Sequence, residues 1–338
     1  MKKILTICLI LLSISALAQT SEEKMKLAMQ LAEEGKFNES NKHLIDLYST
    51  NYMRDLVCYN LSVNYFYMKN YIKAEKFATE SIKMNSSYAL QATVIKGKCL
   101  SINRKYYDEE ELYQKMIQKY PKEFLLHNLL GYNYIKQSKT DKAEEEFQKS
   151  VKLNPFGSEA HLALGNINKD KELLINSLLC YYYFLMTEPN TTRTLEIVRK
   201  IGEEMNFKET DRVIAQKTSK PENLSKEEND LIWAMLFINS LKTTKLTDEN
   251  KIPEMKTFVE NSKSLITNIT ESIETFEGFY EEFYVQFFSK MLKDNMLNEF
   301  LYYSLINIYE DLSESIHGVT KDKMLKFADF LETNTKNE

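Results

Sequence analysis

The sequence predicts an all-α chain: a solenoid of about five helical hairpins over residues 19–191, followed by a helical domain over 192–338. Two observations carry the solenoid. Gly97, Gly131 and Gly165 recur every 34 residues, and Pro121, Pro155 and Pro189 keep the same interval at a constant offset. The chain holds only 8 Gly and 5 Pro, so one period shared by both types is hard to reach by chance. A third observation sets the class. Helix-breaking residues are scarce, while Lys, Glu, Leu, Met and aromatics are plentiful, which favours helix over sheet.

Residues 1–18 read as a signal peptide. Lys2 and Lys3 precede a mostly apolar run from Ile4 to Ile14, and Ala16-Leu17-Ala18 forms an A-x-A cleavage site. The run is too short to span a bilayer. Cys8 follows Ile7, where lipid attachment requires a small residue, so no lipid anchor is expected. No later run reaches the ~18 apolar residues of a membrane helix. The mature chain is expected to be exported, periplasmic or secreted, without a transmembrane segment. Its formal charge of −5 becomes −7 once Lys2 and Lys3 are removed. Both signs are interspersed with no Arg cluster, which argues against a nucleic-acid partner.

The hairpins follow from the register. Copies start near Ser21, Asp55, Leu90, Phe124 and Ser158. Their eighth positions hold Ala28, Ser62, Gly97, Gly131 and Gly165, small enough for two helices to approach closely. Positions 4, 7, 8 and 11 share one face at 3.6 residues per turn and form the buried seam of the first helix. The second helix carries Ser40, Ala74, Glu109, Ala143 and Ser177 at position 20. Four residues on come Leu44, Ala78, Tyr113, Phe147 and Tyr181. Proline at position 32 ends that helix in the last three copies, because it cannot continue the backbone bonding. The first two copies place Tyr52 and Ser86 there.

The clearest copy has Leu130, Gly131 and Tyr134, then Ala143, Phe147 and Pro155. It resembles the tetratricopeptide repeat, a helix–turn–helix unit with small, aromatic and proline residues at these offsets. The resemblance covers residues 21–191. It implies that the first helices line a concave groove through positions 2, 5, 6, 9, 12 and 13. Here these include Tyr59, Asn60, Phe66, Tyr67, Lys98, Asn128, Tyr132, Ile135, Lys136, Asn166 and Lys169. Such a surface suits an extended peptide or a helix, with Asn amides pairing to backbone groups and Tyr rings giving rigid contact area. Met25 and Met29 stand where a carboxylate clamp needs Lys and Asn, so no clamp is expected.

No catalytic motif is present: no H-E-x-x-H, G-x-S-x-G, P-loop or G-x-G-x-x-G. No cofactor or metal is expected. His127 and His161 are equivalent positions one repeat apart, on the order of 10 Å, which is too far for one zinc ion. Both read as packing histidines. Cys58, Cys99 and Cys180 are widely spaced and flanked by apolar residues, a pattern of buried thiols rather than a disulfide framework.

After Pro189 the beat stops. The run Tyr181 to Arg193 resembles secreted bacterial repeat proteins that carry a further helical domain of unassigned function. Thr191 or Thr192 caps the next helix. A loop is expected at 217–224, then a helix opened by the Ser225–Glu228 capping box and carrying an apolar run at 231–241. The next helix starts at Pro253 and runs to about Thr275. Phe276, Phe279, Tyr280, Phe283, Tyr284, Phe287 and Phe288 place aromatics on one helical face. That face is either a pocket for a glycan, lipid or apolar peptide, or a core surface; core packing is the expectation. Asp294-Asn295 joins it to a helix over 296–309 as an antiparallel pair.

The functional expectation is a non-enzymatic, exported scaffold that binds a protein or peptide, with envelope complex assembly as its setting. The alternative makes the C-terminal domain a binder or processor of a small molecule or glycan, with the repeats as a targeting arm.

Overall fold

A computed structural model of the chain describes residues 21–189, 191–205, 255–272, 278–309, 316 and 318–335. The segment expected to be a signal peptide, the loop expected at 217–224 and the helix expected after Ser225 lie outside these. The described residues form helices and no strands. In chain order they are α1 (21–33), α2 (Phe37–Ser49), α3 (Arg54–Tyr67), α4 (Tyr71–Lys83), α5 (Ala89–Ile102), α6 (Tyr106–Lys119) and α7 (Phe124–Lys136). Then follow α8 (Thr140–Leu153), α9 (Ser158–Asp170), α10 (Leu174–Thr187), α11 (Thr192–Met205), α12 (Met255–Ser272), α13 (Gln286–Lys293), α14 (Leu297–Leu305) and α15 (Lys321–Thr335). Two compact units are present, one through Lys139 and the other from Thr140. α10 and α11, on either side of residue 191, pack together inside the second unit.

In both units consecutive helices pack against each other, and the seam explains why. Position 8 is fully enclosed in every copy from Ala28 to Gly165. A Cβ built on Gly97 would lie 1.9 Å from the Tyr113 hydroxyl oxygen, and one on Gly165 would lie 2.4 Å from Cε1 of Tyr181. Each tyrosine is the position-24 residue of the same hairpin, so a large side chain on one helix fills the space left by glycine on the other. Leu27, at seam position 7 of the first copy, is exposed, as suits a unit at the end of a stack.

Every hairpin turns at position 15 in the left-handed region: Gly35, Lys69, Arg104, Ser138 and Glu172 all have positive φ. The next residue's N–H closes the turn onto the carbonyl of position 11, as in Lys36 to Leu31 at 2.8 Å and Lys105 to Leu100 at 2.9 Å. This is the Schellman closure, which satisfies the last carbonyls of the first helix. Only the first copy uses glycine there, so composition alone hides the motif. The second turn is made in two ways. Prolines follow α6, α8 and α10, whereas α2 and α4 are followed by left-handed Asn51 and Asn85. Asparagine tolerates that conformation, and it replaces the missing prolines.

Neighbouring copies are registered by a polar or apolar match between position 20 of one and position 10 of the next. The Asn64 amide donates to Ser40 Oγ at 2.8 Å and to Asn41 Oδ1 at 2.9 Å. Asn133 donates to Glu109 Oε2 at 3.0 Å and to the Tyr106 carbonyl at 2.9 Å. Where position 20 is Ala74 or Ala143, position 10 is Cys99 or Ile167, and all four are buried. Glu109 departs from the small-residue rule of position 20 because it belongs to this lock. Lys136 and the Tyr113 hydroxyl each approach its Oε1 at 3.3 Å. Asn133→Ile should therefore cost about 2 kcal/mol, because it leaves the buried Oε2 of Glu109 without its donor while Lys136 and Tyr113 stay on Oε1. Adding Glu109→Ala, the apolar match used by Ala143 and Ile167, should recover most of that loss in urea melts.

In the second unit α13 and α14 are joined by a turn at Asp294-Asn295, and α14 ends at Leu305, short of the expected 309. Asn295 is left-handed and the Met296 N–H reaches the Met291 carbonyl at 3.0 Å, so the repeat turn recurs here. The packing differs from that of the repeats: Phe288 meets Phe300 edge-on at 5.6 Å with no glycine between them.

Candidate functional site

The concave positions of the first unit begin at an open cleft of about 630 Å³. Glu22, Met25, Lys26, Met29 and Glu33 of α1 form one wall, and Tyr52, Met53 and Leu56 the other. Five of its α1 residues occupy positions 2, 5, 6, 9 and 13 and one, Gln30, position 10, so the cleft overlaps the face that the repeat register assigns to the groove. Methionine gives this end an adaptable apolar lining.

Along the face, Tyr59 is half-buried and stacks on Tyr88 at 5.7 Å. Tyr67 is exposed and stacks on Phe37 at 5.4 Å. The Lys98 ammonium sits 6.0 Å from the Phe66 ring centroid. Tyr132 is half-buried and Ile135 exposed. Asn128 is only 4% exposed, and its Oδ1 has no hydrogen-bond partner among the described residues. A buried amide oxygen in that state costs free energy until a donor reaches it.

Other groove residues are engaged within the fold. The Asn60 amide donates to the Leu56 carbonyl at 2.9 Å, a bond inside α3. Lys136 donates to Ser101 Oγ at 2.6 Å besides its pairing with Glu109. In the second unit, Asn166 Oδ1 accepts from the Tyr181 hydroxyl at 2.9 Å and from Lys200 at 3.1 Å, while Lys169 pairs with Glu204 at 3.4 Å. Of the other expected groove residues in the first unit, Tyr67 and Lys98 are exposed, Tyr59 and Tyr132 half-buried and Asn128 buried. Sequence reasoning passed over Tyr88 and Phe37, the stacking partners. Both lie outside the first helices, so a rule that names positions on those helices cannot find them.

Of the aromatic face of the C-terminal region, Tyr280, Tyr284, Phe287 and Phe288 are buried and Phe279 and Phe283 half-buried, while Phe276 lies outside the described residues. The expected α-helix is interrupted: Glu281–Val285 is a π-turn, whose wider winding stacks Tyr280 on Tyr284 at 6.1 Å. Tyr280 donates to Glu144 Oε1 at 2.6 Å and accepts from the Asn168 amide at 2.7 Å. Tyr284 is fully buried, and its hydroxyl lies 2.7 Å from His161 Nδ1. His161 Nε2 lies 2.7 Å from the Pro155 carbonyl, which only accepts, so Nε2 carries the proton and Nδ1 receives the Tyr284 proton. Burial holds the imidazole neutral, with its pKa lowered to about 4. Tyr183 and Phe283 close over the ring at 4.3 and 5.9 Å. Both histidines are buried, His161 as a bridge from α9 to the π-turn. Cys58, Cys99 and Cys180 are free and buried, and burial pushes Cys58 up to about 12 and Cys99 up to about 11, which makes them poor nucleophiles.

Residues 126–156, covering nearly all of α7 and α8, match the family profile described as Tetratricopeptide repeat. That stretch carries a tetratricopeptide repeat. The matched copy is the one whose seam residues Leu130, Gly131 and Phe147 are all buried. No curated protein matches the chain. Among solved structures, the repeat chain is similar to a MamA RS-1 ArsTM double mutant, at 18% identity and TM-score 0.44, over 50% of this chain and 94% of that one. A second similar structure is MamA 41-end from Desulfovibrio magneticus RS-1, at 18% identity and TM-score 0.41, over 49% and 92% of the two chains. A third is PilW, described as a widely conserved type IV pilus biogenesis factor, at 16% identity and TM-score 0.47, over 63% and 99%. No described helix is long and apolar enough to cross a membrane.

Proposed function

We propose that the chain is a non-enzymatic scaffold whose first unit holds an extended segment of a protein partner on its concave face. The observation that carries this reading is Asn128. Its amide oxygen is buried without a donor among the described residues, at a groove position shared with Tyr59, Tyr67 and Tyr132, and a peptide N–H that displaced the side chains covering it would complete it. Residues 1–18 have the layout of a signal peptide, which supports an exported chain acting in the periplasm or outside the cell, with an envelope protein as the partner.

Asn128→Leu tests the reading because two readouts move in opposite directions. Removing an unsatisfied polar group should raise the stability of the free chain by about 1 kcal/mol or leave it unchanged. Recovery of the partner from envelope extract should fall together with that seen for Tyr67→Ala and Tyr132→Ala. If capture persists at wild-type level in all three variants while they remain folded, the concave face is not the binding surface.

A further inference from the structure

The turn tips of repeats two and three differ from those of their neighbours. Position 13, just before the tip, is Glu33, Lys136 and Asp170 in the first, fourth and fifth copies, but Tyr67 and Ile102 in the second and third. Position 18, just after it, is Asn38 and Asp141 in the first and fourth and a half-buried Ile175 in the fifth, but Ile72 and Tyr107 in the second and third. All four apolar side chains face solvent: Tyr67 is 63% exposed, Ile72 82%, Ile102 47% and Tyr107 76%. The two tips are adjacent, since Lys98 of α5 reaches Phe66 beside Tyr67. Exposed cations stand among them: Lys69 and Arg104 at the left-handed tip positions, with Lys73 and Lys105 beside them. Residues 66–107 hold eight Lys or Arg against two Glu, and no Asp or Glu stands between Glu80 and Asp108. In a chain of net charge −5 this is a local inversion of sign. It is spread over two hairpins, so it forms no run in the sequence.

We propose that this edge rests on an anionic membrane surface. Ile72 and Tyr107 enter the headgroup layer, and Lys69, Lys73, Arg104 and Lys105 meet lipid phosphates. Two features favour a bilayer over a peptide. The patch is made of projecting tips rather than a groove, so it fits a flat partner. Its composition, tyrosine and isoleucine level with Lys and Arg, is that of an interfacial anchor. The surface shares position 13, Tyr67 and Ile102, with the concave positions, and the variants below leave both residues in place, so vesicle binding is read apart from what that face binds.

The sister repeats supply variants already tolerated by the hairpin. Ile72→Asn with Tyr107→Asp copies the first and fourth copies at position 18, and Lys69→Gly with Arg104→Ser copies them at position 15. Sedimentation of the full chain with phosphatidylglycerol-containing vesicles is expected, with none on phosphatidylcholine and a decline as salt rises. Each double variant should lower partitioning about tenfold or more, with helical circular dichroism unchanged. Failure of the wild-type chain to sediment with phosphatidylglycerol at low salt overturns the proposal. Equal sedimentation of the variants also overturns it. If the chain ignores vesicles but binds a glutamate-rich amphipathic peptide, and loses it in the same variants, the edge serves a protein instead and the membrane assignment fails.

Discussion

Gly97→Ala and Gly165→Ala should each destabilise the chain by about 3 kcal/mol, at the upper end of overpacking costs. The added methyl group would overlap rings that have nowhere to go, because Tyr113 and Tyr181 are 1% and 0% exposed. Chemical melts monitored by circular dichroism read the loss. Gly35→Ala is the informative contrast. Nothing lies within 4 Å of its Cβ position, so only the positive φ opposes it, at about 1 kcal/mol. Pairing Gly97→Ala with Tyr113→Leu should relieve the overlap, and the double variant should be more stable than the sum of the singles. Strict additivity would mean that the two helices do not meet where the structure puts them.

The second large effect is acid sensitivity of the second unit. His161 in the unfolded chain takes a proton near its ordinary value of 6.5, whereas in the fold it does so only near 4. Between these limits the unfolded state binds the extra proton, so its stabilising contribution is complete above pH 6.5 and is lost as pH falls toward 4. The span corresponds to roughly 3 kcal/mol. The ring is enclosed by the aromatic rings of Tyr183, Phe283 and Tyr284, which disfavour an imidazolium there. His161→Phe should start from lower stability at pH 7, because the Tyr284 hydroxyl and the Pro155 carbonyl lose their partner. Its stability should then change less than wild type between pH 6.5 and 4.5. Equal slopes in urea melts across that interval would show that the imidazole is not the titrating group.

The repeat register was legible because steric exclusion leaves a residue-type signature. Only a small residue fits at position 8 opposite Tyr113 or Tyr181, and proline cannot continue a helix. Turn geometry was less legible, since Lys69, Arg104, Ser138 and Glu172 adopt the left-handed conformation through closure of the turn rather than through glycine. Glu109 looked like a flaw in the third copy because its partner, Asn133, lies in the next one. The π-turn at Glu281–Val285 left no trace in periodicity, as aromatics spaced three and four apart satisfy an α-helix equally well. Groove residues could be placed by position. Which of them were already hydrogen-bonded could not, since Asn60 and Asn128 are the same residue type with one amide engaged and one oxygen left open.

Site-specific photocrosslinking tests the scaffold account most directly. A crosslinking residue at Tyr59 or Tyr132 reports from the concave face of α3 and α7, and one at Lys76 or Lys115 from the outer helices α4 and α6. The account predicts one common envelope-protein adduct from Tyr59 and Tyr132, and none from Lys76 or Lys115. Adducts of equal yield from all four positions, or from the outer helices alone, would contradict it.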